Sequence, residues 1–177
     1  MKAKFNALFN LIREPLSESG GVVTDNSILF VYSPEDELKF RDHLSDMFVP
    51  LLRSHGLIFQ TLSLRNFLYE SFDEETIEAL AEDEFDDYRW LKQGLSKQVE
   101  SALRERLTEL SRRAQGGTLL AYETAALYPL VRYGEVLREL RHLDCRIVLA
   151  FPGEERGGKL HFMDQPDGGN YLAVKLT

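Results

Sequence analysis

A phosphate cradle needs glycines that let backbone N–H groups approach the anion, a lysine that reaches it and a helix N-terminus behind it. Gly153-Glu154-Glu155-Arg156-Gly157-Gly158-Lys159-Leu160 has the G-x-x-x-x-G-K spacing and follows an apolar run. Leu160 stands where a Ser or Thr would hold magnesium, and His161, Phe162 and Met163 alternate as a short strand rather than opening a helix. The stretch therefore reads as a turn beside a hairpin. At the first strand-to-helix junction the chain reads Ser33-Pro34-Glu35-Asp36-Glu37. Carboxylates in a first helical turn complement the helix dipole and repel phosphate, and no glycine there allows close backbone approach. No Ser lies in G-x-S-x-G, no His pair has the H-E-x-x-H spacing, and no acidic run follows the EF-hand pattern. His43, His55, His142 and His161 are too scattered to share a metal. The pairs Asp83/Asp87 and Asp86/Asp87 read as a solvated acidic face, and Asp164 and Asp167 as turn formers. Cys145, the single cysteine, opens an apolar run and reads as a small buried hydrophobe. The sequence predicts no catalytic residue, no cofactor and no metal site, and so not an enzyme.

What remains unusual for plain packing lies in two loops. Tyr128-Pro129-Leu130-Val131-Arg132 follows a strand and precedes a helix, and Phe151-Pro152-Gly153-Glu154 leaves another strand. Both should sit beyond strand carboxyl ends, where α/β sheets present their working surface, and should be neighbours. Arg132 could clamp Glu154 or Glu123 internally, or face a partner's carboxylate or phosphate. Tyr and Arg are favoured interface anchors, so Tyr128, Pro129, Arg132, Phe151, Pro152, Gly153 and Glu154 are the interface candidates, with Asn170 and Tyr171 further on.

Charge is unevenly placed along the chain. Residues 70–87 hold ten carboxylates and no Lys or Arg, whereas residues 88–146 hold eleven Lys/Arg against seven acids. Net charge of -8 argues against non-specific nucleic-acid binding. The alternative is a nucleic-acid-binding accessory that uses the basic 92–113 helix, with Lys92, Lys97, Arg104, Arg112 and Arg113 as contacts. These residues fall on more than one helical face, and Glu100, Glu105 and Glu109 stand near enough in sequence to pair with them.

The elements that must position these loops follow an α/β order. Phe5, Leu8, Phe9 and Ile12 repeat at helical spacing, and Ser27–Tyr32 (SILFVY) is a buried strand. Ser33 and Pro34 open a helix running to about Ser54, which Pro50 should kink late or end early. Leu57–Leu62 is a second strand, and helical patterns fill residues 64–114 up to Gly116-Gly117. Thr118–Tyr122 is a third strand, Tyr133–Leu143 a helix and Cys145–Phe151 a fourth strand, apolar on both faces as a parallel sheet requires. Leu160–Met163 and Asn170–Lys175, separated by the turn formers of 164–169, make an edge hairpin. With 177 residues, 44% of them hydrophobic, one core is enough, and residues 1–177 form a single α/β domain. Met1-Lys2-Ala3-Lys4-Phe5 leads into an amphipathic pattern and no apolar run approaches the ~20 residues of a membrane span, so the expected location is the cytoplasm, without membrane contact.

The ordered set Tyr128-Pro129-Leu130-Val131-Arg132, Ile147 to Glu154 (IVLAFPGE), Leu160 and Asn170-Tyr171-Leu172-Ala173-Val174, with Ser33-Pro34-Glu35-Asp36-Glu37-Leu38 earlier, resembles the BrxB family of bacteriophage-exclusion (BREX) defence systems, over residues 27–176 and most strongly from 118 onward. The resemblance implies a mostly parallel sheet flanked by helices, a Rossmann-like or P-loop-like core without the phosphate loop. It implies a non-catalytic adaptor acting through protein–protein contacts in an antiviral assembly. Other BREX components are the implied partners, the alkaline-phosphatase-like PglZ foremost. Any contact with nucleic acid is then indirect, and self-association is left open. Where the resemblance leads one to expect a small-residue turn after the third strand, this chain has Tyr122-Glu123-Thr124-Ala125-Ala126.

Overall fold

The structure is a computed structural model that describes residues 1–15, 18–19, 22–23, 26–157, 159–163, 165–166 and 173–177, with side chains described at all of these except 18–19, 22–23, 79–93 and 165–166. The elements in chain order are α1 (Lys2–Arg13), two-residue strands β1 (Glu18–Ser19) and β2 (Val22–Val23), β3 (Ser27–Tyr32), α2 (Glu37–His43), α3 (Val49–Ser54), β4 (Phe59–Ser63), α4 (Phe67–Ser71), α5 (Glu74–Ala114), β5 (Thr118–Tyr122), α6 (Tyr133–Glu139), β6 (Arg146–Arg156), β7 (Lys159–Phe162), β8 (Gln165–Pro166) and β9 (Val174–Leu176).

Five strands run parallel in the order β4-β5-β6-β3-β9. Counted along the chain this is 2-3-4-1-5, which departs from the 3-2-1-4-5-6 order of dinucleotide-binding sheets. The register alternates side chains cleanly between two cores, as a period of two demands. Leu29, Val31, Leu119, Ala121, Ile147, Leu149 and Phe151 pack under α5 and α6, while Ile28, Phe30, Tyr32, Leu120, Val148 and Ala150 pack under α1 and the 37–54 helix. Central strands buried on both faces explain why their sequences read as unbroken apolar runs.

Three elements depart from the sequence expectation. Pro50 does not end its helix, which runs on to Ser54. A π turn (Leu44–Phe48) joins α2 to α3, with Val49 N–H reaching back to Leu44 O, and the wider turn accommodates the bond that Pro50, lacking an N–H, cannot make. The fourth strand does not stop at Phe151 but continues to Arg156 by changing partners. β6 is parallel to β3 through Pro152 and antiparallel to β7 from Gly153 onward, and its pairing with β5 ends at Leu149. Thr124 Oγ1 donates to Ala150 O (2.7 Å) where the β5 ladder has ended, which satisfies a carbonyl the sheet no longer covers. The C-terminal hairpin therefore has the β6 extension and β7 as its arms, with β8 beyond, while Val174–Leu176 becomes a parallel edge strand beside β3. The turn residues 164 and 167–169 lie outside the described residues.

The longest element, α5, spans about 60 Å at ~1.5 Å per residue. Asp73 caps it by accepting the Thr76 N–H (2.7 Å), and the Thr76 side chain first, then this N–H, hold the Asp73 carboxyl below its usual range. Its C-terminal half carries a buried apolar stripe through Val99, Leu103, Leu107, Leu110 and Ala114, and this half packs on β4, β5 and α6. It ends on Gln115 in the left-handed region (φ 46) and then Gly116 and Gly117. A Cβ on Gly117 would meet Ile58 O at 2.2 Å, so the chain can pass the second strand here only as glycine. The carboxylates at 74–87 occupy the N-terminal half, and those at 82–87 lie outside the described side chains. No helix among the described residues is long and apolar enough to cross a membrane.

Candidate functional site

The carboxyl ends of the parallel strands carry two arrangements, one on each side of the sheet. The first is a ring cluster at the loops singled out from sequence. Phe162, from β7, sits 5.7 Å from Tyr128, 5.7 Å from Tyr133 and 5.0 Å from Phe151 between ring centroids, the last contact edge-on. Tyr133 Oη donates to Thr124 O (2.6 Å), tying the start of α6 to the turn after β5. The two loops are thus neighbours, joined through an aromatic residue that no motif marked. Tyr128 precedes a cis bond to Pro129 and is 40% exposed, and Met163 beside Phe162 is 38% exposed. Among the described residues these are two of six large hydrophobics more than about a third exposed; Tyr128 lies against the Phe162 ring and Met163 follows Phe162 in the chain.

The remaining loop candidates divide by burial. Phe151, Pro152 and Gly153 are buried, so they support the surface rather than form it. Gly153 has a packing reason for its identity, since a Cβ there would meet His161 O at 2.1 Å across the hairpin. Glu154 is exposed and pairs with Arg156. Arg132 clamps neither Glu154 nor Glu123. Its N–H donates to Glu100 Oε1 (2.9 Å), and its guanidinium, 74% exposed, faces Glu135 at 3.6 Å. Both acids proposed for it have nearer cations of their own. Asn170 and Tyr171 lie outside the described residues.

The second arrangement was not visible in the sequence. Glu123 follows β5 with a left-handed backbone (φ 58), the position where a small-residue turn was expected. Its carboxylate accepts from Arg41 Nη1 (2.6 Å) on α2, from Arg65 Nε (2.9 Å) and Nη2 (2.5 Å), and from Ser63 Oγ (2.5 Å) at the end of β4. One buried carboxylate therefore joins three segments far apart in sequence. Nearby, Tyr32 Oη donates to Glu37 Oε2 (2.5 Å), and burial, then the Glu37 hydrogen bond and negative charge, push the Tyr32 phenol far above its ordinary value. It stays neutral and serves as a donor. Beside this network lies an open cleft of about 750 Å³ whose lining includes Arg41, Asp42, Arg53, Thr61, Ser63 and Glu123. Guanidiniums and carboxylates are mixed in it, and no serine or cysteine there is paired with a histidine base.

On α5, Arg104 pairs with Glu139, while Arg106 and Arg113 share Glu109. Lys97 and Arg112 are exposed, and the Lys92 side chain lies outside the described residues. Cys145 is fully buried, and desolvation, with a smaller contribution from Asp144, pushes its thiol up to about 11. Among the described residues no group of three His, Cys, Asp or Glu side chains is placed to hold a metal ion.

The family model described as BREX protein BrxB matches residues 55–176. The match takes in both loops, the Phe162 cluster, Ser63, Arg65 and Glu123, and leaves the Ser33–Leu38 segment and Arg41 outside it. No curated protein and no solved structure gives a significant match. Over residues 55–176, more than half of its length, the chain matches the BrxB family and belongs to it, and members of that family are components of BREX phage-defence systems.

Proposed function

We propose that the protein is a non-catalytic adaptor within its BREX system, docking onto another component through the face formed by Tyr128, Pro129 and Met163. The observation that carries the reading is the exposure of Tyr128, whose ring lies against Phe162, and of Met163, the residue after Phe162. Apolar side chains held open on a rigid base, with the exposed Arg132 on the same loop, have the composition of an interface centre with a charged rim. The strand ends supply the rigidity, because Thr124, Ala150, Phe151 and Tyr133 tie both loops to the sheet. The PglZ component is the favoured direct partner. The test is affinity purification of the tagged protein, with nuclease treatment, from cells expressing its neighbouring genes. A stoichiometric, salt-resistant complex with one BREX component is expected. Recovery of the protein alone would overturn the reading.

A further inference from the structure

The second strand of the parallel sheet, β4, is an edge strand whose only ladder partner among the described residues is β5. Two hydrogen bonds bracket it: Thr118 N–H to Ile58 O and Leu64 N–H to Tyr122 O, both 3.0 Å. In a parallel ladder alternate residues turn their backbone groups to the same neighbour, so Ile58, Gln60, Leu62 and Leu64 face β5. Phe59, Thr61 and Ser63 turn their N–H and C=O outward. The side chains of Thr61 and Ser63 also line the 750 Å³ cleft, so the open edge and the cleft meet.

Charge on the cleft wall narrows the occupant. Arg53 lies over the Phe59 ring at 6.0 Å, and neither Arg53 nor Asp42 has an ion-pair partner among the described residues. Arg41, Arg53 and Arg65 are balanced by Asp42, Glu70 and Glu123, so the cleft has no net positive charge with which to hold a nucleic-acid backbone. Its wall is mostly polar, with Leu44, Val49 and Tyr122 as its apolar members, which suits an extended polar segment better than the continuous apolar face of a helix. An extended main chain satisfies outward backbone groups of both kinds, and its side chains can meet both unpaired charges.

The geometry points to the outer edge of β4 as the seat of an extended peptide segment from another BREX component, added as a further strand, with an acidic residue against Arg53 and a basic residue against Asp42. This surface is separate from the Tyr128 face and goes beyond the adaptor reading. An adaptor with both would grip a folded surface at one site and a linear segment at the other, so that the two contacts reinforce each other through effective concentration.

Short overlapping synthetic peptides tiling the other BREX components, titrated against the full chain by fluorescence anisotropy, test the proposal. Binding is expected for a peptide that carries both charges. Arg53→Glu should weaken it by about tenfold or more, and reversing the peptide's acidic residue to Lys should restore it. Thr61→Pro removes an outward N–H without touching the ladder to β5 and should abolish binding, while Tyr128→Ser leaves it unchanged. Where Thr61→Pro fails to fold by circular dichroism, the charge exchange decides alone. The proposal is overturned by the absence of any binding peptide, by binding that tolerates the charge exchange, or by a homodimer in sedimentation that Thr61→Pro dissociates, since β4 would then pair with its own copy.

Discussion

Removing the Glu123 carboxylate should loosen the joint between β4, α2 and the turn after β5. The side chain is 11% exposed and accepts hydrogen bonds from Arg41, Arg65 and Ser63. Breaking a fully buried ion pair by deleting one partner costs about 3–5 kcal/mol. Here the Arg65 side chain is 59% exposed and that of Arg41 27%, so much of the released charge rehydrates. Glu123→Ala should therefore cost about 2 kcal/mol, less than for a sealed pair and more than for a surface one. For a chain of this size that lowers Tm by roughly 4–8 °C. The backbone supplies an internal control. At φ 58 a Cβ is strained by ~1 kcal/mol, so Glu123→Gly loses the same carboxylate but regains about that amount relative to Glu123→Ala. Urea denaturation of the three proteins with a common m-value is the assay. The reasoning fails if Glu123→Ala lies within about 0.5 kcal/mol of the parent, or if the glycine variant is the less stable of the two.

Two further outcomes follow from packing. Gly153→Ala drives a methyl group into His161 O, 2.1 Å from the ideal Cβ, and should destabilise the protein by more than about 2 kcal/mol, read as a lower urea midpoint; parent-like stability would mean that the hairpin does not close as described. Cys145, fully buried with its thiol raised from 9.0 to about 11, should resist a thiol reagent such as DTNB in the native protein at pH 8 and react at once in denaturant. Between pH 9 and 11 the unfolded state binds fewer protons at this site than the folded one, so stability should fall as pH rises through that window, and Cys145→Ala should flatten the slope. Rapid stoichiometric labelling of the native protein would contradict the burial.

The parallel core was legible because its strands are buried on both faces, and SILFVY and TLLAY match β3 and β5 residue for residue. Pro152 hid the length of β6. A proline suggests a strand end, but here it marks the point where β6 leaves β3 for β7, so a local rule met a change of partner that no local pattern encodes. Pro50 did not end its helix early, since a π turn absorbs its missing hydrogen bond. The loop pair after β5 and β6 was legible from topology alone, whereas Phe162 was not, because a single aromatic in a short alternating segment does not announce what it packs against. The Glu123 network lay furthest from sequence reasoning. Arg41 and Arg65 stand 82 and 58 residues from Glu123, and only the sheet order brings them together. Its one local signal was a glutamate where a small residue was expected.

The most direct test of the adaptor claim uses the purified protein and the purified PglZ component, with affinity measured by calorimetry for the parent and for the Tyr128→Ser/Met163→Ser double variant. Both substituted side chains reach solvent, so the variant should melt within a few degrees of the parent, about what a loss of 1 kcal/mol would produce. The account predicts a defined complex for the parent and at least a tenfold weaker one, about 1.4 kcal/mol, for the double variant. A parent that does not bind, or a double variant that binds as tightly as the parent, would contradict it.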